Sequence, residues 1–125
     1  MIQGAIVFGM KRKIILTKTF SKDIESYLKK GKLLLQDFDA FVKQLANNPE
    51  AGDVITGTGG VRKIRLKSAA KGKRGGFRVC YYFFQIEDII YLITVYAKNE
   101  QDNITSDEKN SLKGIVNFFK GEQKL

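Results

Sequence analysis

Two hydrophobic periods alternate along the chain and divide it into elements. The run KIILTKTF at 13–20 predicts a first strand. Ser21 can then cap a short helix, with Asp23 and Glu25 in its first turn and Gly31 as its stop. From about Leu33 to Asn47 the period lengthens. Leu34, Phe38, Phe41 and Leu45 recur at i, i+4, i+7 and i+11, one apolar stripe of a longer helix that Pro49 ends. Residues 52–60, GDVITGTGG, read as a loop holding a short extended piece. Three β-rich runs follow at 61–67, 77–86 and 89–97, and only Glu87 and Asp88 separate the last two, a spacing that suits an antiparallel hairpin. The nearly unbroken apolar run IIYLITVYA predicts a central strand covered on both faces. Thr105–Glu108 is a capping box ahead of a closing helix whose buried stripe is Leu112, Ile115, Val116 and Phe119. The order is β-α-α-β-β-β-α without repeats, a small α+β domain.

At 125 residues the chain fits one domain with one core. We expect that domain to span 10–125, because Met10 opens a stretch, MKRKIILTKTF, that reads like a protein start. Residues 1–9 then read as an extension from an upstream start codon. In the first residues the basic positions follow the apolar run, the wrong order for a secretory signal, so a cytoplasmic protein away from membranes is expected.

Charge changes the picture most. The net charge is +9, and no Asp or Glu occurs between Val54 and Ile86, whereas eight Lys or Arg fall between Arg62 and Arg78. Such one-sided charge points to nucleic acid or another polyanion, whereas mere solubility charge would be interspersed with acids. The chain has no histidine, which removes Ser-His and Cys-His catalysis, the two-histidine ribonuclease mechanism and nearly all zinc sites. The single cysteine, Cys80, lies in an apolar run and reads as a buried, inert thiol. No acidic cluster is spaced to hold Mg²⁺, so no metal or other cofactor is expected. Chemistry here must run on Lys, Arg, Tyr and a lone carboxylate.

Strand alternation sorts the cations. In 61–67, Ile64 and Leu66 point one way, and Lys63, Arg65 and Lys67 the other. In the next strand Val79, Tyr81 and Phe83 form the core set, leaving Arg78, Cys80 and Tyr82 on the opposite face. If these strands pair, Lys63, Arg65 and Arg78 share a face with Tyr82, an arrangement that an anionic ligand would neutralise. The plainer reading is a basic face balanced by carboxylates such as Glu50 and Asp53. The loop 68–77 adds Lys71, Lys73 and Arg74, contacts of the kind that give affinity without sequence specificity. GTGGVR fails the dinucleotide fingerprint because Arg62 stands at the third glycine, and KGKR lacks the rest of a P-loop. Lys98 follows the central strand, where it either reaches a site on the sheet rim or merely ends the strand in solvent.

GDVITGTGGVRKIRLKSAAKGKRGGFRVCYYF followed by YLITVYAKNEQDNIT closely resembles the HigB-like branch of the RelE toxins, the toxin halves of bacterial type II toxin-antitoxin pairs. The resemblance runs from about Lys13 to Phe119 and is most specific across 52–106. It implies a RelE-like fold, with two N-terminal helices and a C-terminal helix on a small twisted antiparallel sheet. It also implies a ribosome-dependent endoribonuclease that cuts mRNA in the decoding A site and is neutralised by a cognate antitoxin, expected to be of helix-turn-helix type. Carried over by motif, RKIRL places Lys63 and Arg65 at the family's two basic strand positions, GFRVCY places Arg78 at the scissile phosphate, and AKNE places Lys98 beside it. Arg62, Lys67, Lys71, Lys73 and Arg74 are then expected to bind RNA or ribosome. The chain departs from the RelE branch at Asn99, where that branch has arginine, and lacks its following tyrosine. Tyr82 is the spatial candidate for proton acceptor. The alternative is a non-catalytic basic RNA- or DNA-binding module of the same fold.

Overall fold

The computed structural model describes residues 6–8, 12–70, 76–98 and 104–124. The elements are β1 (Ile6–Phe8), β2 (Lys13–Leu16), α1 (Lys18–Lys29), α2 (Leu35–Asn47), β3 (Asp53–Val54), β4 (Arg62–Leu66), β5 (Phe77–Phe84), β6 (Ile89–Ala97) and α3 (Ser106–Lys124). One sheet carries them in the order β1-β2-β6-β5-β4-β3. The apolar run of β6 sits centrally, as its composition predicts.

The sheet is mixed, which corrects the expectation of a purely antiparallel one. β2 pairs parallel with β6, from Lys13↔Ile89 to Leu16↔Leu92. Two helices and three strands separate these partners in sequence, so no hairpin constrains their direction. All other pairings are antiparallel, including β1 with β2. The first helix also starts earlier than Ser21. Thr17 is its cap, and its hydroxyl accepts the Phe20 N–H at 3.2 Å. The same hydroxyl donates to Ile93 O, fixing α1 to the central strand.

The sheet separates two apolar layers. On one face Val79, Tyr81, Leu92 and Val95 pack under Phe20, Ile24, Phe38, Phe41 and Leu45 of α1 and α2. On the other, Cys80, Tyr82, Tyr91, Ile93 and Tyr96 meet Leu112, Val116 and Phe119 of α3. Phe119 anchors that helix, its ring stacked on Tyr91 with centroids 3.9 Å apart. The capping box forms as predicted: Glu108 Oε1 accepts the Thr105 N–H at 2.8 Å, and Thr105 Oγ1 accepts the Glu108 N–H at 3.2 Å. Ile115 is only partly buried beside the rest of the stripe. Among the described residues no helix is long and apolar enough to cross a membrane.

Candidate active site

β4 and β5 pair in the register that brings the cations together. Arg65 lies directly opposite Arg78, and Lys63 directly opposite Cys80. Arg78 in turn lies opposite Tyr96 of β6. Directly opposed residues place their Cβ atoms roughly 5 Å apart on the same face. Lys63, Arg65 and Arg78 therefore form one cluster on the α3 side, beside the N-terminal end of that helix. Lys63 and Arg78 are half-buried, while Arg65 and Lys67 are exposed. Two guanidiniums across adjacent strands give a positive potential that a phosphate between them relieves on both sides at once.

Glycine makes this corner possible. Gly76 precedes β5 with φ +66°, and a Cβ there would sit 2.7 Å from Leu66 O and 3.5 Å from Arg65 Nε. The bare Cα lets the β4 backbone and the Arg65 side chain close over it. Lys98, exposed and one residue beyond β6, donates its N–H to Gly76 O at 3.3 Å. Backbone pairing thus brings Lys98 to the same end of the sheet as Arg65 and Arg78.

Other candidates fall elsewhere. Arg62 lies opposite Tyr81 on the helix-packed face. Its guanidinium donates to Glu50 O at 3.0 Å and Gly52 O at 2.7 Å, and stands 3.9 Å from the Glu50 carboxylate. It ties down the loop after α2 and is not brought to the cationic face. Glu50 stays with Arg62 on that opposite face, whereas Asp53 lies directly opposite Lys63, on the face of the cationic cluster. Tyr82 lies on the α3 face with Cys80, as alternation predicts. It is 9% exposed, its ring stacks on Phe119 at 6.4 Å, and four residues of strand, about 13 Å, separate it from Arg78. Burial pushes its pKa up, which makes it a poor proton acceptor. Lys71, Lys73 and Arg74 of the loop, and Asn99, lie outside the described residues.

Two residues on the α3 side of the sheet were not singled out from sequence as site candidates. Tyr96 is 7% exposed, and its hydroxyl is buried without a hydrogen-bond partner among the described residues. Burial, with smaller contributions from Cys80 and Glu108, raises its pKa to about 12 against the pull of Arg78. Glu108, read from sequence only as a cap, lines the same cavity of about 950 Å³ as Tyr96, Thr94 and Ser111. The signal for Tyr96 was its phase in the strand, unreadable without the register to Arg78. Cys80 is inert, its thiol pushed up to about 11 chiefly by burial, with Lys63 opposing. Among the described residues no group of His, Cys, Asp and Glu could hold a metal ion.

The fold is a three-layer α+β domain that sets Lys63, Arg65 and Arg78 on one sheet face, an arrangement with the charge to take up a phosphate. The family comparison gives the class a name. Residues 12–124 match the family described as the RelE toxin of the RelE / RelB toxin-antitoxin system, and the chain belongs to the RelE toxin family. It is a toxin of a type II toxin-antitoxin system, with a cognate antitoxin as partner, and membership implies an mRNA interferase ribonuclease.

Proposed function

We propose that this toxin belongs to the HigB-like branch and is a ribosome-dependent endoribonuclease that cuts mRNA in the A site, metal-independently, by attack of a 2′-hydroxyl on the adjacent phosphate. The observation that carries this reading is the cross-strand pair Arg65–Arg78, flanked by Lys63 on β4 and by Lys98 beyond β6. In-line attack builds a phosphorane with extra negative charge, and prepositioned cations stabilise it without reorganising. Arg78 and Arg65 hold the non-bridging oxygens, Lys63 adds field from the half-buried floor, and Lys98 protonates the departing 5′-oxygen. Lys67, Lys71, Lys73 and Arg74 hold the flanking backbone. The ribosome supplies much of the rate by fixing the mRNA near its attack geometry. A cognate antitoxin, of helix-turn-helix type, silences the toxin in the cytoplasm.

The test is to induce the wild type and Arg78→Ala in a bacterium and map mRNA 5′ ends. Growth arrest with new codon-aligned ends for the wild type, and neither for the variant, is expected. Wild-type expression without arrest or new ends overturns the enzyme reading in favour of a binding module.

A further inference from the structure

β2 ends too soon to cover its neighbour. Its pairing with β6 stops at Leu16↔Leu92, and from Ile93 to Tyr96 β6 runs on without a described strand at that edge. Thr17 turns the chain there into α1, and the space left between α1, β6 and α3 is the cavity of about 950 Å³. None of Lys63, Arg65, Arg78 and Lys98 lines it. Its charge is opposite to that of the rest of the molecule. In a chain with 22 Lys and Arg against 13 Asp and Glu, the described lining carries Asp23, Asp107 and Glu108 but one cation, the exposed Lys18. Complementing a helix N-terminus accounts for Asp107 and Glu108 in the first turn of α3, but not for Asp23, which lies beyond the first turn of α1. Asp23 is half-buried and forms no ion pair with a described residue. A second polar group of the lining is unsatisfied. Tyr96 is 7% exposed, and its buried hydroxyl has no hydrogen-bond partner among the described residues. A buried polar group in that state costs stability until a ligand or water meets it.

Spacing and surroundings select the ligand. No group of three described carboxylates converges tightly enough to hold a metal ion, so the negative charge is spread over the cavity. The remaining lining includes the buried Ile93, Leu112 and Phe119 and the exposed ring of Phe118. Separated charges over apolar ground suit a ligand built the same way, with several cations joined by methylene chains. Its ammonium groups meet carboxylates and an aromatic face, and its stems cover the aliphatic side chains. From this arrangement we infer that the cavity between α1 and α3 is a binding site for linear aliphatic polyamines. Asp23 and Asp107 are its charge contacts, and the Tyr96 hydroxyl oxygen accepts an ammonium N–H. Glu108 adds its field while one of its oxygens accepts the Thr105 N–H. The site lies outside the cleavage machinery proposed above and does not depend on it. A bound polyamine joins helices from the two faces of the sheet and stabilises the fold by mass action.

The test is calorimetric titration of the full-length protein with spermidine and with putrescine, with thermal unfolding followed in parallel. Spermidine should bind one to one and raise the unfolding midpoint by about 10 °C at a free concentration a hundred times its Kd. Putrescine, with one ammonium fewer, should bind more weakly. The double variant Asp23→Asn/Asp107→Asn should weaken spermidine binding at least about tenfold, the loss expected on removing charge-assisted hydrogen bonds. Tyr96→Phe should weaken it roughly fivefold, yet without ligand it should unfold no lower than wild type, because the hydroxyl it lacks is unsatisfied. Glu25→Gln, whose carboxylate stands 3.9 Å from Lys29 and outside the cavity, should bind as wild type does. Spermidine that gives neither heat nor a midpoint shift overturns the site, as does a folded double variant that binds like wild type. Displacement of spermidine by an equal concentration of Mg²⁺ overturns it too, since diffuse negative charge alone would then account for the binding.

Discussion

Removing a single hydroxyl from the fully buried Tyr81 should test how the loop after α2 is held. That hydroxyl donates to Pro49 O at 2.8 Å and accepts the Gly52 N–H at 2.9 Å. Both backbone groups belong to buried residues, so Tyr81→Phe strands one donor and one acceptor. A buried group left unsatisfied costs about 1–3 kcal/mol, which makes the expected loss about 3 kcal/mol for the pair. In a domain of this size that lowers the unfolding midpoint by roughly 10 °C. The loop's other tie is Arg62, on the same face. The cationic cluster lies across the sheet, so cleavage by the variant below its midpoint should match wild type. Calorimetry of wild type and Tyr81→Phe measures the effect. A midpoint within about 3 °C of wild type would refute the claim that the loop hangs on this hydroxyl.

Gly76→Ala should cost at least about 2 kcal/mol, since a Cβ would lie 2.7 Å from Leu66 O at a φ of +66°; a denaturant midpoint equal to wild type would contradict this. Phe119→Ala should lose about 3–5 kcal/mol by removing the ring stacked on Tyr91, and calorimetry showing less than about 1 kcal/mol would mean α3 is held otherwise. Alkaline pH should destabilise the fold. Burial raises Cys80 from 9.0 to about 11 and Tyr96 from 10.0 to about 12, so their contribution is complete below pH 9 and is lost as pH rises towards 12. The double variant Cys80→Ala/Tyr96→Phe should flatten the pH–stability curve above pH 9, and an unchanged slope would contradict the burial argument.

Local chemistry made much of this legible in the sequence. The capping box at Thr105–Glu108, the α2 stripe and the central position of β6 follow from residue type and period alone, and all are found. Alternation also put Lys63, Arg65 and Arg78 on one face before any pairing was known. Long-range pairing was not legible. The parallel match of β2 with β6 is set by packing across residues far apart in sequence, and β1 lies in a segment read only as an extension. The same gap hid Tyr96, which lies opposite Arg78, and the cover that Phe119, from the far end of the chain, gives Tyr82. Arg62 was grouped with the other cations by composition, although its backbone partners lie on the opposite face.

The most direct test of the central claim is the Arg78→Ala defect measured on ribosome-bound and naked mRNA side by side. Wild type should cut the ribosome-bound message, leaving a 2′,3′-cyclic phosphate, and leave naked RNA intact. Arg78→Ala should still bind the ribosome but cleave about 10²- to 10³-fold more slowly, the usual loss on removing one preorganised charge donor. Equal rates for the two proteins, or equally fast cutting of naked RNA, would show that the Arg65–Arg78 face is not the site of a ribosome-dependent cleavage.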